Sequence, residues 1–183
     1  MLDRLSFLLG VAALVSTSQI AAAEAPAADP CGDPRLVSQG YTVFPGIVVE
    51  VDSGDRLRVR VDAAKHTPAE NVGTYAVRLV ATEAPTPGGL AAQTSRTRLS
   101  GRLLGKEIHL LLSPFQEEGT PVNVIVQGVS PGFADENLGQ IAAGMARAVN
   151  QGAYDVDSYL RCQYQRAEEA AKSAGLGMWS AQP

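Results

Sequence analysis

An α+β fold built on a small five-stranded Greek-key barrel of the OB type is the architecture this sequence predicts, on three observations. Five short segments alternate apolar and polar residues as strands do, one helical stretch follows the third of them, and two helical stretches close the chain. That order of elements is the one expected of an OB-type barrel. With 183 residues, 45% of them hydrophobic, the chain is long enough for one domain with a moderate core.

The N-terminal stretch precedes the fold. Leu5 to Val15 (LSFLLGVAALV) is uncharged, follows only MLDR, and runs into small residues ending at Ala21-Ala-Ala23. This is the pattern of a cleavable export signal over residues 1–23. A membrane anchor needs roughly 20 apolar residues, and Ser16, Thr17, Ser18 and Gln19 interrupt the run early. Cys31 comes only after Ala28-Asp-Pro30, so lipid attachment directly after the signal is not expected. The sequence therefore predicts a periplasmic or secreted protein with no membrane span once the signal is removed. Residues 24–40 open with EAPAADPCGD, rich in alanine, proline and acidic residues, and read as a flexible tether. The folded domain is expected over residues 41–180.

Gly46 to Val51 and Arg56 to Val61 read as two strands joined at Asp52-Ser-Gly-Asp55, a turn-forming composition. The second alternates strictly, with Arg56, Arg58 and Arg60 on one face and Leu57, Val59 and Val61 on the other. Such an arginine row either follows a phosphate backbone or, more often, is a solvated strand face. A third strand is expected over Tyr75 to Val80. Pro85-Thr-Pro-Gly-Gly89 then breaks the chain before a helix from about Leu90 to Leu104, which Gly105 is placed to end. Lys106 to Leu110 and Val122 to Val126 complete five strands. Two helices follow, from about Glu136 to Ala146 and from about Ser158 to Ala174. In the last, Leu160, Tyr164, Ala167, Ala171 and Ala174 are spaced for one buried face.

Two cysteines in an exported chain imply one disulfide. Cys162 lies off the buried stripe, on the side carrying Arg166, Glu169 and Ser173, so a bond to Cys31 would staple the tether to the last helix. Closing so long a loop is worth about 4 to 5 kcal/mol of chain entropy before strain. The net charge of −4 weighs against a general nucleic-acid coat. His66, in a polar loop, and His109, in a strand, are too far apart in sequence to suggest a metal site or triad, and no glycine-rich phosphate loop is present.

Several pieces, in their order and spacing, carry a resemblance over about Tyr41 to Ser180. They are Gly54-Asp55, Val77-Arg-Leu-Val80 leading into Glu83-Ala-Pro85, Leu104-Gly-Lys106, Asn137 through Gly144-Met-Ala146, and Ala167-Glu168 with Gly175-Leu-Gly-Met-Trp179. Together they resemble the staphylococcal nuclease (thermonuclease) family. The resemblance implies calcium-dependent hydrolysis of phosphodiesters in DNA and RNA. That chemistry uses a carboxylate-held metal, a glutamate as general base and two arginines facing the phosphoryl oxygens.

Residue by residue, the resemblance places Asp55 at the first metal carboxylate and Glu83 at the second, one methylene longer than the family's aspartate. It implies a calcium ion held between them at reduced affinity; the alternative is that both are ordinary polar residues at strand ends. Arg78 falls at the first phosphate arginine; its alternative is a strand arginine paired with Glu83. The general base should directly follow Pro85, and Thr86 stands there. The second arginine should follow the glycine that opens the fifth strand, and Thr120 stands there beside Glu117 and Glu118. A positioned base contributes about 10² to 10⁴ in rate and one charge donor about 10² to 10³. Losing both removes most of the catalytic advantage even without additivity.

The expectation is a thermonuclease-like domain, catalytically impaired and acting as a binding or structural module. Its partner would be an envelope component, another protein or a nucleic-acid fragment, the last disfavoured by the acidic charge. The competing expectation is a secreted calcium-dependent nuclease with a rearranged site, in which Glu117 or Glu118 supplies the base and Arg56 the second cation.

Overall fold

The computed structural model describes residues 29–32, 42–62, 72–112, 122–128, 135–149 and 156–180. Over them the chain is an α+β fold with a five-stranded mixed sheet and three helices. The expected signal, most of the expected tether, His66, Glu117, Glu118 and Thr120 lie outside the described residues.

Strands β1 (Thr42–Val51), β2 (Arg56–Val61) and β3 (Gly73–Leu79) form an antiparallel meander. The bounds of β2 are those its alternation predicts, and the faces follow: Leu57, Val59 and Val61 are buried while Arg56, Arg58 and Arg60 are exposed. Strand β5 (Glu107–Leu112) pairs antiparallel with both β1 and β6 (Val122–Gly128). Parallel pairing of β3 with β6 then closes the ring in the order β1-β2-β3-β6-β5.

Two strands are additional to the five expected. Chain direction changes after β3 at Ala81, which takes a left-handed conformation (φ 52°), and the two-residue β4 (Thr82–Glu83) pairs with the equally short β7 (Arg147–Ala148). Both are too short for any alternation to announce them.

Helix α1 (Leu90–Leu103) ends with Leu104 as its C-cap, directly before Gly105, whose φ of 75° suits glycine. Its Leu99 and Leu103 join the first core, which fills the ring with Val48, Leu57, Val59, Leu79, Ile108 and their neighbours. A second core lies on the other face of the sheet. There Leu111 and Ile125, a cross-strand pair, meet Ile141 of α2 (Glu136–Ala142) and Leu160 and Tyr164 of α3 (Ser158–Ser173). The two cores are what the two-residue period requires: Leu110 and Val124 point inward, Leu111 and Ile125 outward.

Two helix readings need correction. Helix α2 ends at Ala142 rather than Ala146, because Gly144 turns left-handed (φ 67°) and packs against the Leu176–Gly177 backbone, where a Cβ would collide. On α3, Leu160, Tyr164 and Ala171 are buried and Ala167 partly so, but Ala174 is the exposed C-cap. The expected disulfide is present between Cys31 and Cys162. Among the described residues, no helix is long and apolar enough to cross a membrane.

Candidate functional site

The β1–β2 turn carries the first candidate carboxylate. Asp52 and Ser53 both donate backbone N–H to the Arg56 carbonyl (2.9 and 3.1 Å), which tightens the turn. Gly54 sits where Ser95 of α1 approaches so closely that a Cβ would clash. The Gly54 carbonyl accepts from Gln140 Nε2 (2.9 Å), and the Ser95 hydroxyl donates to the Met145 carbonyl (2.7 Å). Helices α1 and α2 thus grip the turn from behind.

Asp55, which the turn delivers to the start of β2, is only 6% exposed. Its backbone carbonyl accepts from Leu79 N–H (2.9 Å), and its carboxylate takes the Ser53 hydroxyl (2.6 Å). The second carboxylate oxygen lies 3.5 Å from Arg78 Nε. Register explains the meeting: Arg56 lies opposite Arg78 across the β2–β3 ladder, so Asp55 reaches the end of that rung. With side chains only 8% and 16% exposed, this ion pair is poorly screened.

Glu83, the second candidate carboxylate, does not pair with Arg78. Its partner is Arg147, whose Nε donates to Glu83 Oε2 at 2.8 Å across the β4–β7 rung. The left-handed turn at Ala81 is the reason, because it carries Glu83 off β3 onto β4. Thr86 is exposed between Pro85 and Pro87. Both prolines line a cleft of about 540 Å³ whose other walls include Ser53, Gly54, Gln93 and Arg96. Arg96 donates Nε to the Val51 carbonyl (2.9 Å).

The arginine row on β2 is largely self-neutralised. Arg58 Nε lies 3.4 Å from Glu50 and 3.6 Å from Asp52, and Arg60 Nε lies 3.0 Å from Asp62. With the Arg78–Asp55 pair, the sheet face presents matched charges rather than a cationic track.

Calcium takes six to eight oxygen ligands. The donors here are two carboxylates, each engaged by its own arginine, and among the described residues no three His, Cys, Asp or Glu side chains converge as a metal group would. This donor set does not fit a ready-made calcium cage.

Four side chains that matter to this region escape sequence reasoning. Ser53 carries no signal beyond that of a turn residue, yet its hydroxyl donates to Asp55. Arg147 stands in β7, a two-residue strand with no spacing to flag it. Gln140 and its neighbour Glu136 look like ordinary helix polar residues, yet both are buried. Glu136 takes a two-pronged bond from Arg102, whose pKa is raised by that bond, and Gln140 accepts from Arg98 (2.6 Å). Burial and then the Arg102 charge lower the Arg98 pKa, with Glu136 opposing them.

No protein-family model and no curated protein matches this chain.

Proposed function

We propose that this protein is an exported, divergent thermonuclease-like domain of the OB type whose nuclease chemistry has been lost and which acts as a binding or structural module. The carrying observation is that the groups the resemblance assigns to metal and phosphate are closed on protein partners. Asp55 is paired with Arg78 and Glu83 with Arg147. A substrate phosphate would have to displace a buried carboxylate to reach Arg78, and at Thr86 it would find no group able to accept a proton at neutral pH. The closed order of five strands supports the OB-type reading, and the matched charges on the β2 face support a partner other than a polyanion.

One observation favours the second reading, a secreted calcium-dependent nuclease with a rearranged site. Arg56 is exposed directly across the ladder from Arg78, where it could serve as a second cation. The test is incubation of the purified mature protein with single-stranded DNA and excess calcium, alongside Glu83→Ala. The expected result is no metal-dependent cleavage by either protein. Calcium-dependent cleavage that Glu83→Ala abolishes would overturn the proposal in favour of the nuclease.

A further inference from the structure

We propose that Asp29 to Gly32 form a strap on α3 that reduction of the Cys31–Cys162 disulfide releases while the domain stays folded, making this bond a redox-operated latch on the N-terminal arm. The inference is independent of the nuclease-like reading.

The strap is a small turn organised by one side chain. The Asp29 backbone carbonyl accepts from Gly32 N–H (2.9 Å), and Asp29 Oδ1 accepts from Cys31 N–H (2.9 Å). Its other carboxylate oxygen takes the Gln163 amide (2.9 Å) and the Tyr159 hydroxyl (3.2 Å). Positions 159, 162 and 163 share one face of α3 by their three- and four-residue spacing, so the disulfide and the Asp29 bonds grip the same stripe.

Every non-covalent element of that grip is exposed to water. Exposed hydrogen bonds exchange readily with solvent and hold little on their own. No residue of the strap belongs to either hydrophobic core. Tyr159 leans on the second core through its ring and offers the strap only its hydroxyl. The covalent bond therefore supplies most of the attachment, and the strap itself adds no apolar packing to either core.

Both cysteines are half-buried and neither is sealed in a core, and release of the strap requires that an external thiol reach the bond. A dithiol reductant supplies two electrons and two protons: the S–S bond breaks, two thiols form, and the dithiol closes to its own disulfide. The strap then retains only the Asp29 bonds, and the stripe formed by Tyr159, Cys162 and Gln163 becomes available.

The test is hydrogen exchange on the full mature chain, oxidised and then reduced with dithiothreitol under native conditions, with thiol alkylation read by mass. Both cysteines should alkylate without denaturant, and the amides of Cys31 and Gly32 should exchange at least about tenfold faster, while those of β1, β2, β3, β5 and β6 stay far slower than in an unfolded chain, even after the loop-closure entropy of the bond is lost. Loss of protection throughout the barrel on reduction would overturn the proposal, because the bond would then be holding the fold itself. So would thiols that react only in denaturant, or strap amides whose exchange is unchanged after reduction. Cys162→Ser should reproduce the reduced pattern. If that variant does not fold, the reduced wild-type chain still decides.

Discussion

Asn137→Ala removes a carboxamide that acts as a missing piece of sheet. Asn137 is fully buried on α2; its Oδ1 accepts from Val126 N–H (3.0 Å) and its Nδ2 donates to the Val80 and Val124 carbonyls (3.1 and 3.0 Å). The two carbonyls keep other donors, Thr82 Oγ1 for Val80 (3.0 Å) and Val80 N–H for Val124 (2.9 Å). Val126 N–H points away from β5, and truncation leaves it orphaned in a dry interior. An orphaned buried donor costs about 1–3 kcal/mol, and each of the two other lost bonds about 0.5–1.5 kcal/mol. The expected loss is therefore about 2–6 kcal/mol, a large part of the roughly 5–15 kcal/mol that keeps a domain folded. Urea unfolding of the oxidised protein, followed by circular dichroism, would read it as a lower midpoint at unchanged slope. A loss below about 1 kcal/mol would refute the reasoning, since it would mean that Val126 N–H finds another acceptor or water.

Three further side chains yield predictions of different size and sign. Asp135 caps α2 through Leu138 N–H (3.0 Å) and accepts the Tyr164 hydroxyl (2.8 Å), and burial pushes its carboxyl up from 3.8 to about 6 against these bonds. A raised folded pKa means that this group's stabilisation is fully present below about pH 4 and is lost as pH rises through about 6, by at most ~3 kcal/mol. Asp135→Asn should flatten the stability profile between pH 4 and 6 by comparison with wild type and raise stability at pH 7.5; parallel profiles for the two proteins in urea would count against it. Asp55→Ala removes a buried carboxylate that faces Arg78 with side chains only 8% and 16% exposed and should cost about 2 kcal/mol or more, whereas Glu83→Ala breaks a pair with side chains 39% and 55% exposed and should cost less than about 1 kcal/mol. Equal losses for these two variants in one denaturation series would show that burial does not separate the pairs.

How far the sequence reaches is clearest residue by residue. The bounds of β2 were legible because a strand with one face in the core must alternate, and RLRVRV does so without exception. The end of α1 was legible because Gly105 suits a left-handed residue, and the disulfide because a chain with two cysteines and an export-like start has one economical pairing. Asp55 in the turn before the second strand and Arg78 within the third were also legible; that they face each other as an ion pair was not, because pairing depends on ladder register. Glu83 makes the contrast sharper. Its spacing from Arg78 suggests a partner on the same strand, but the left-handed Ala81 sends it to Arg147, sixty-four residues on.

By itself the sequence determined the elements, their apolar faces and the cysteine pair, because these depend on local periodicity and composition, which a chain carries wherever it is. Only the tertiary structure decided which charge meets which. An ion pair is set by register, by turns such as Ala81, and by helices such as α2 that fill gaps in the sheet. Those distances exist only once the ring of strands has closed.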